Sequence, residues 1–305
     1  MATSAPEKLL RRLEWRLGRR LEGRLQGAYR TVFHGTGIDF TDLRVYTPED
    51  DVRHIDWNVT ARLDEPFVRQ YTEDREMTAW LVVDRSASMR FGRSSGEAGE
   101  GGGAGKESTA AELAVALGRL ISQGGNRVGA ILFDNDAHLV IPPRTGRDQI
   151  LRITRELTKP GARKTTAKTT DLSKMFKLAA ATTVKRRSLV FVMSDFIGDP
   201  GWERPLGMLT HRHEVVVIRV VDPAELDLPD LGLILVEDAE TGEQLLVDTS
   251  DPLLRGRLSA EVDTRETALA GQMRTAGVDA HRLTTDEDLL AALVDLVRHS
   301  GRRRR

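Results

Sequence analysis

Three oxygen-bearing side chains alternate with other residues directly after an apolar, strand-like segment. Asp84, Ser86 and Ser88 follow residues 80–83, which read Trp-Leu-Val-Val. Ligands of open α/β sheets bind at the carboxyl ends of the strands, so one carboxylate and two hydroxyls there can converge on one point. All three offer hard oxygen, which suits a small divalent cation better than a softer metal. The motif alone has low specificity, because Asp and Ser also cap helices and form turns.

Two further oxygen-bearing side chains lie at the ends of other predicted elements. A second acid, Asp195, follows the apolar stretch at residues 189–193, and Thr170 stands at the start of a predicted helix, with Thr169 as an alternative. The expected ion is Mg²⁺, with Mn²⁺ or Ca²⁺ as alternatives. The predicted metal ligands, drawn from three loops, are Asp84, Ser86, Ser88, Thr170 and Asp195.

This set lacks the pair of groups that catalysis would need. Phosphatases that form an aspartyl-phosphate usually have a second acid two residues after the nucleophile, where this chain has Ser86, and a lysine at a later strand end, where residues 188–195 have none. We therefore predict no catalytic residue, and a Mg²⁺ that accepts a carboxylate without any reaction. A Mg²⁺-dependent phosphoryl hydrolase is the alternative, and it would need a nucleophile and a general base beside the metal.

From residue 76 the chain alternates strands with helices, which is typical of a mostly parallel sheet covered on both faces. We expect this α/β domain to span 76–299, after an N-terminal helix and small β subdomain in 1–75 and before a basic tail at 300–305. The predicted strands are 28–34, 40–46, 67–71, 78–83, 127–133, 137–141, 188–193, 214–221 and 279–283, and the predicted helices of the α/β domain are 108–122, 147–157, 172–180, about 201–212 and 286–299.

Two segments interrupt the alternation. Residues 92–107 are so rich in Gly that a mobile loop is expected. A phosphate-binding interpretation of Lys106 fails, because Glu107 stands where the pattern needs Ser or Thr. Residues 223–250 are expected to insert an acidic β-hairpin, centred on 232–247.

Residues 50–57 are dense in polar groups, and we predict a structural network there rather than a second site. Its acids have nearby arginines as possible partners, Arg44 among them, and Trp57 is expected to pack in the core or against the β subdomain.

The Asp-x-Ser-x-Ser sequence, a later Thr and a later Asp resemble the metal-ion-dependent adhesion site (MIDAS) of von Willebrand factor A-like (Rossmann-like) domains. The resemblance implies that Ser86, Ser88 and Thr170 meet Mg²⁺ directly, while Asp84 and Asp195 act largely through water or hydrogen bonds.

Most of the chain also resembles one prokaryotic family of such proteins, a domain of unknown function with the number fifty-eight. Members are often encoded beside MoxR-type AAA ATPases. The resemblance implies a chaperone-like or adaptor role with such an ATPase or its client, in protein or complex maturation, through an Asp or Glu of the partner. It is carried by residues 37–46, 50–58, 67–71, 127–133, 222–223 and 240–243.

Composition narrows the possibilities further. The chain has no cysteine, which excludes disulfides, zinc–thiolate sites and thiol catalysis and fits a cytoplasmic location. No apolar stretch approaches the ~20 residues of a membrane span. The net charge of −1 and the lack of a recognised motif argue against nucleic-acid binding. Metal-independent binding of a partner through the acidic hairpin is the remaining alternative.

Overall fold

The computed structural model of the protein describes residues 6–7, 37–63, 65–74, 77–90, 105–134, 137–159, 170–183, 187–227, 230–237 and 244–302. Most of the expected N-terminal helix, the predicted strand 28–34, Thr169 and residues 92–104 of the predicted loop lie outside these ranges.

The described elements follow the predicted alternation of strands and helices. The strands are β1 (Gly37–Val45), β2 (Phe67–Asp74), β3 (Thr78–Asp84), β4 (Arg127–Asp134), β5 (Ala137–Arg144), β6 (Leu189–Ser194), β7 (Glu214–Val221), β8 (Leu233–Glu237), β9 (Gln244–Asp248) and β10 (Ala280–Thr284). The helices are α1 (Trp57–Leu63), α2 (Lys106–Gln123), α3 (Arg147–Leu157), α4 (Leu172–Thr182), α5 (Glu203–Arg212), α6 (Pro223–Leu226), α7 (Pro252–Thr275) and α8 (Leu289–Arg302).

A six-stranded sheet in the order β10-β7-β6-β3-β4-β5 forms the centre of the fold. Its strands pair in parallel except β5, which runs antiparallel to β4 at the edge. This edge position explains how β5 can contain Pro142 and Pro143, since proline cannot donate to a sheet ladder on both sides. The expected mostly parallel α/β sheet is confirmed.

Helices cover both faces of this sheet, as the apolar runs of the central strands require. Leu81 and Val83 of β3 pack in a buried cluster with α2, α3 and α8. Trp80 and Val82 of the same strand pack in a second cluster with α4, α5 and α7. Successive side chains of β3 therefore pack into two cores on opposite faces of the sheet, and β3 is held from both sides.

The order of the strands places β3 beside β6, although they are the first and fourth strands of the α/β domain. The chain leaves β3 towards β4 on one side and leaves β6 towards β7 on the other. This is a topological switch point, where the loops after the two strands part and leave a crevice at their carboxyl ends. Asp84 and Asp195 lie at these two strand ends.

Three of the helices differ from what the sequence predicted. Helix α2 begins at Lys106, inside the segment 92–107 that was expected to be a loop, because Lys106 is buried against partners distant in sequence. Helix α8 continues to Arg302, into the expected tail. Helix α7 had no predicted bounds, because it offers little apolar periodicity: only Leu269 and Met273 are buried.

In the β subdomain, β1 and β2 form an antiparallel two-stranded sheet that is separate from the central sheet. Arg44 binds Asp50 through both guanidinium nitrogens, at 2.8 and 2.5 Å, which confirms that pairing. Helix α1 was not predicted, and it places Trp57 on the surface with 68% of its area exposed, so the expectation that Trp57 packs in the core was wrong.

Strands β8 and β9 form an antiparallel hairpin within the predicted insertion. Leu235 lies opposite Leu246, and each is 61% exposed. The described part of the hairpin is therefore more apolar at its surface than the acidic sequence suggested. None of the described helices combines the length and the apolar character needed to cross a bilayer.

Candidate metal site at the switch point

Asp84 is the last residue of β3 and is fully buried. Its Oδ1 accepts a hydrogen bond from the backbone N–H of Ser86 (2.9 Å), and its Oδ2 accepts one from the hydroxyl of Ser194 (2.6 Å). Both carboxylate oxygens are thus engaged by protein groups on two neighbouring strand ends. This arrangement suits a residue that shapes the loop and orients the hydroxyls in front of it.

The two serine hydroxyls of the loop after β3, the first loop, are in direct contact. Ser86 Oγ lies 3.0 Å from Ser88 Oγ, and both side chains are buried. Two oxygens bound at right angles to one Mg²⁺, each at about 2.1 Å, would be about 3.0 Å apart. The separation therefore fits adjacent ligands of one octahedral ion, and the donor set is the hard oxygen that such an ion prefers.

Asp195 approaches Ser86 and Ser88 from the loop after β6, the second loop. It follows β6 directly, and its Oδ1 lies 3.4 Å from Ser88 Oγ and accepts the backbone N–H of Ile197 at 3.0 Å. Phe196 has a positive φ of 58°, which is unfavourable for a bulky residue. Its ring offsets that cost by packing against Trp202, with the centroids 5.0 Å apart.

The loop before α4, which contains Thr170, packs against the loop after β6 through backbone atoms. Thr170 is fully buried, and its carbonyl oxygen accepts a hydrogen bond from the N–H of Asp199 at 2.9 Å. A Cβ on Gly198 would lie 2.2 Å from that same oxygen, so only glycine permits this approach. Thr170 therefore lies beside the loop that contains Asp195, while the choice between Thr170 and Thr169 as a ligand stays a prediction.

The structure thus links Asp84, Ser86, Ser88 and Asp195 in one hydrogen-bonded cluster at the switch point, with Thr170 in the adjoining loop. In the part of the chain that is described, no three side chains of the His, Cys, Asp and Glu types form a metal-binding group. The two observations agree, because the majority of the predicted ligands here are hydroxyls.

Sequence reasoning missed a lysine in this cluster. Lys106, at the start of α2, has no exposed surface, and its Nζ donates to Asp195 Oδ2 at 2.7 Å and to Glu225 Oε1 at 2.5 Å. Glu225 is positioned by α6, where Asp222 forms a capping box with it. Burial raises the pKa of Glu225, while the Lys106 ammonium acts in the opposite direction. The sequence signals were the Gly105-Lys106 pair and the Asp-Pro-x-Glu at 222–225, but nothing in either shows that they meet.

Lys106 also weakens one ground for excluding a hydrolase. That exclusion relied on the lack of a lysine at a later strand end, and here a helix supplies one beside Asp195. The other ground stands, since the residue two positions after Asp84 is Ser86 and not an acid.

Two arginines hold the first loop in place. Arg85 binds Glu107 of α2 at 2.9 Å and donates to the carbonyl of Glu156 at the end of α3 at 3.2 Å. Arg90 reaches Asp134 at the end of β4 at 3.6 Å. Arg85, at the first x position of Asp-x-Ser-x-Ser, and Arg90, two residues after the motif, therefore anchor the loop to its neighbours, which keeps Ser86 and Ser88 in place.

The buried Asp84 carboxylate is electrostatically unfavourable in its charged form. Burial raises the pKa of Asp84 to about 6, and the neighbouring Asp195 carboxylate raises it as well. A divalent cation between the two carboxylates would oppose both effects.

The strand order and the carboxylate–hydroxyl cluster at its switch point define an α/β domain of the von Willebrand factor A-like class. The chain belongs to the protein family of unknown function DUF58, whose family model matches residues 42–268. It is 37% identical over 301 residues to uncharacterized proteins of Mycobacterium tuberculosis (strain ATCC 25618 / H37Rv) and Mycobacterium bovis, and the match covers 97% of this chain and 89% of each relative.

Solved structures with similar folds were also found. The conserved hypothetical protein BatB from Bacteroides thetaiotaomicron is 14% identical, with a TM-score of 0.45 over 74% of this chain and 99% of that chain. The vWF domain of the type V pili tip protein Mfa5 from Porphyromonas gingivalis is 12% identical, with a TM-score of 0.33 over 75% of this chain and 94% of that chain.

Proposed function

We propose that the protein is a non-enzymatic interaction module that uses one Mg²⁺ to bind an acidic side chain of a protein partner. The observation that carries this proposal is the 3.0 Å approach of Ser86 Oγ and Ser88 Oγ beside Asp195 at the switch point. Ser86, Ser88 and Thr170 would hold the ion, with Asp84 and Asp195 orienting them. A bound Mg²⁺ would supply an open coordination position for the incoming carboxylate.

The proposed partner is a MoxR-type AAA ATPase or its client, and the proposed role is chaperone-like or that of an adaptor in protein or complex maturation, in the cytoplasm. Support for this partner comes from the family resemblance alone. The buried oxygen cluster supports the chemistry of the contact, because a hard cation with protein hydroxyls as neutral ligands retains positive charge for an anionic partner.

The test is capture of the purified MoxR-type ATPase of the same organism, with Mg²⁺ and with EDTA. We expect capture only with Mg²⁺, and its loss in Asp84→Ala and Ser86→Ala, with circular dichroism showing that both variants fold. Ser259→Ala, at an exposed position of α7, is the matched control and should behave as wild type. Capture that persists in EDTA and in both site variants would refute the mechanism.

The exposed leucines of the hairpin favour a second candidate, which is metal-independent binding of a partner through β8 and β9. Leu235→Ser combined with Leu246→Ser would then abolish capture more strongly than Asp84→Ala, whether or not Mg²⁺ is present. The hydrolase alternative has its own readout, since turnover of phosphoesters that is lost in Asp195→Asn would establish it.

A further inference from the structure

The Lys106 ammonium and the proposed metal share one carboxylate. Asp195 presents Oδ1 towards Ser88 and Oδ2 towards Lys106, with the ammonium at 2.7 Å. The two oxygens of Asp195 thus face the hydroxyl cluster on one side and a fixed positive charge on the other.

Helix stability does not account for a lysine at this position. A positive charge in the first turn of α2 opposes the helix dipole, and Lys106 has no exposed surface. Removing an ammonium from water carries a large cost, and buried ion pairs are often no more stabilising than apolar residues of the same size. The lysine therefore adds a cost that its two ion pairs have to offset.

Counting formal charges suggests what this lysine contributes. Among the described side chains, Asp84, Asp195 and Glu225 give three negative charges around the cluster, and Lys106 gives one positive charge. The nearby Arg219 is paired with Glu266, so that pair adds no net charge. The sum is −2, the charge that one divalent cation neutralises.

We propose that Lys106 is an internal counter-cation that lowers and sets the affinity of the switch-point site for divalent metal by sharing Asp195 with the ion and pairing with Glu225. This inference rests on the proposed metal site and adds a residue that determines its affinity. Glu225 raises the affinity for metal, because its negative charge partly neutralises the Lys106 ammonium with which it pairs.

The test measures dissociation constants for Mg²⁺ and Mn²⁺ by calorimetry on purified full-length protein. Lys106→Met should bind the metals at least ~10-fold more tightly than wild type, because removing a like charge strengthens attraction of the ion. Glu225→Gln should bind at least ~10-fold more weakly, and the double variant should return towards wild type, since its summed charge is again −2. Lys177→Met, at an exposed position of α4, is the control and should leave affinity unchanged.

A purely structural role for Lys106 would not give opposite signs. In that case both single variants would lose stability and would bind metal equally or more weakly, which would overturn the inference. Lys106→Gln keeps donors for both carboxylates without the charge, and it replaces Lys106→Met if the latter does not fold.

The same measurements separate this inference from the proposed function. Metal binding by wild type that is lost in Asp84→Ala but unchanged in Lys106→Met and Lys106→Gln would keep the function and refute the role of Lys106. Binding by Lys106→Met but not by wild type would support the inference and refute the function. An absence of binding in all variants would refute both.

Discussion

Replacing Gly198 by alanine tests the contact between the two loops that flank the candidate site. The new Cβ would lie 2.2 Å from the carbonyl oxygen of Thr170, whereas contacts below 3.0 Å are essentially never tolerated. The loops must therefore separate by about 1 Å, and the hydrogen bond from the Asp199 N–H to the same oxygen, now 2.9 Å long, would be weakened or lost.

These two effects give the expected magnitude. Overpacking of a buried contact costs about 1–3 kcal/mol, and loss of a backbone hydrogen bond costs about 1 kcal/mol. The free energy of unfolding should fall by about 2–4 kcal/mol, which lowers the melting temperature by roughly 4–16 °C for a domain of this size. If Thr170 is a ligand, the stabilisation by saturating Mg²⁺ should shrink as well.

Thermal and urea denaturation of metal-free protein, repeated with Mg²⁺, would measure both effects. Gly256→Ala is the matched control, because no atom lies within 4 Å of its added Cβ and it occupies α7. That change should stabilise the protein by about 0.5–1 kcal/mol, as alanine does for glycine in a helix. Wild-type stability of Gly198→Ala would show that the Thr170 loop does not pack against Gly198.

Two further changes probe the electrostatics and the support of the site. Because the pKa of Asp84 is raised from 3.8 to about 6, its contribution to the stability of metal-free protein is present below about pH 4 and is lost as the pH rises through 6. Asp84→Asn should remove this decline, add about 1–3 kcal/mol to the free energy of unfolding at pH 8, and abolish stabilisation by Mg²⁺. Urea titrations from pH 4.5 to 8 would measure these effects. Trp202→Ala removes the 2%-exposed neighbour of Phe196 and should lower the free energy of unfolding by about 3–5 kcal/mol. It should also weaken Mg²⁺ binding, because Phe196 directs the turn after Asp195. An unchanged dissociation constant in calorimetry would show that the aromatic cluster only stabilises the core.

The sequence predicted well those features that depend on short-range patterns. The bounds of β7 and α3 agree with the predictions, because a continuous apolar run and a helical stripe identify them without further information. The cluster of Asp84, Ser86, Ser88 and Asp195 could also be predicted, since residues that follow parallel strands must meet at one edge of the sheet.

The features that the sequence did not show depend on contacts between distant segments. Lys106 and Glu225 are separated by 119 positions, and neither has a local pattern that indicates burial. The lysine follows a glycine-rich stretch, which favoured a loop, and tertiary contacts overrode that tendency. The same holds for Gly198, whose requirement for glycine comes from a carbonyl in another loop.

Within the described residues, three exceptions to the local rules of folding lie close together. Phe196 has a positive φ, Lys106 is buried at the wrong end of a helix for its charge, and Asp84 is a buried carboxylate beside another acid. Each feature costs stability, and apolar replacements of buried ion pairs are often neutral or stabilising. Such costs concentrated at the carboxyl ends of two central strands are expected where a site binds a ligand, because binding recovers what folding loses. Stability alone gives no reason for all three to meet at the switch point; a cation would relieve the repulsion between the Asp84 and Asp195 carboxylates, and the like-charged Lys106 would limit that effect.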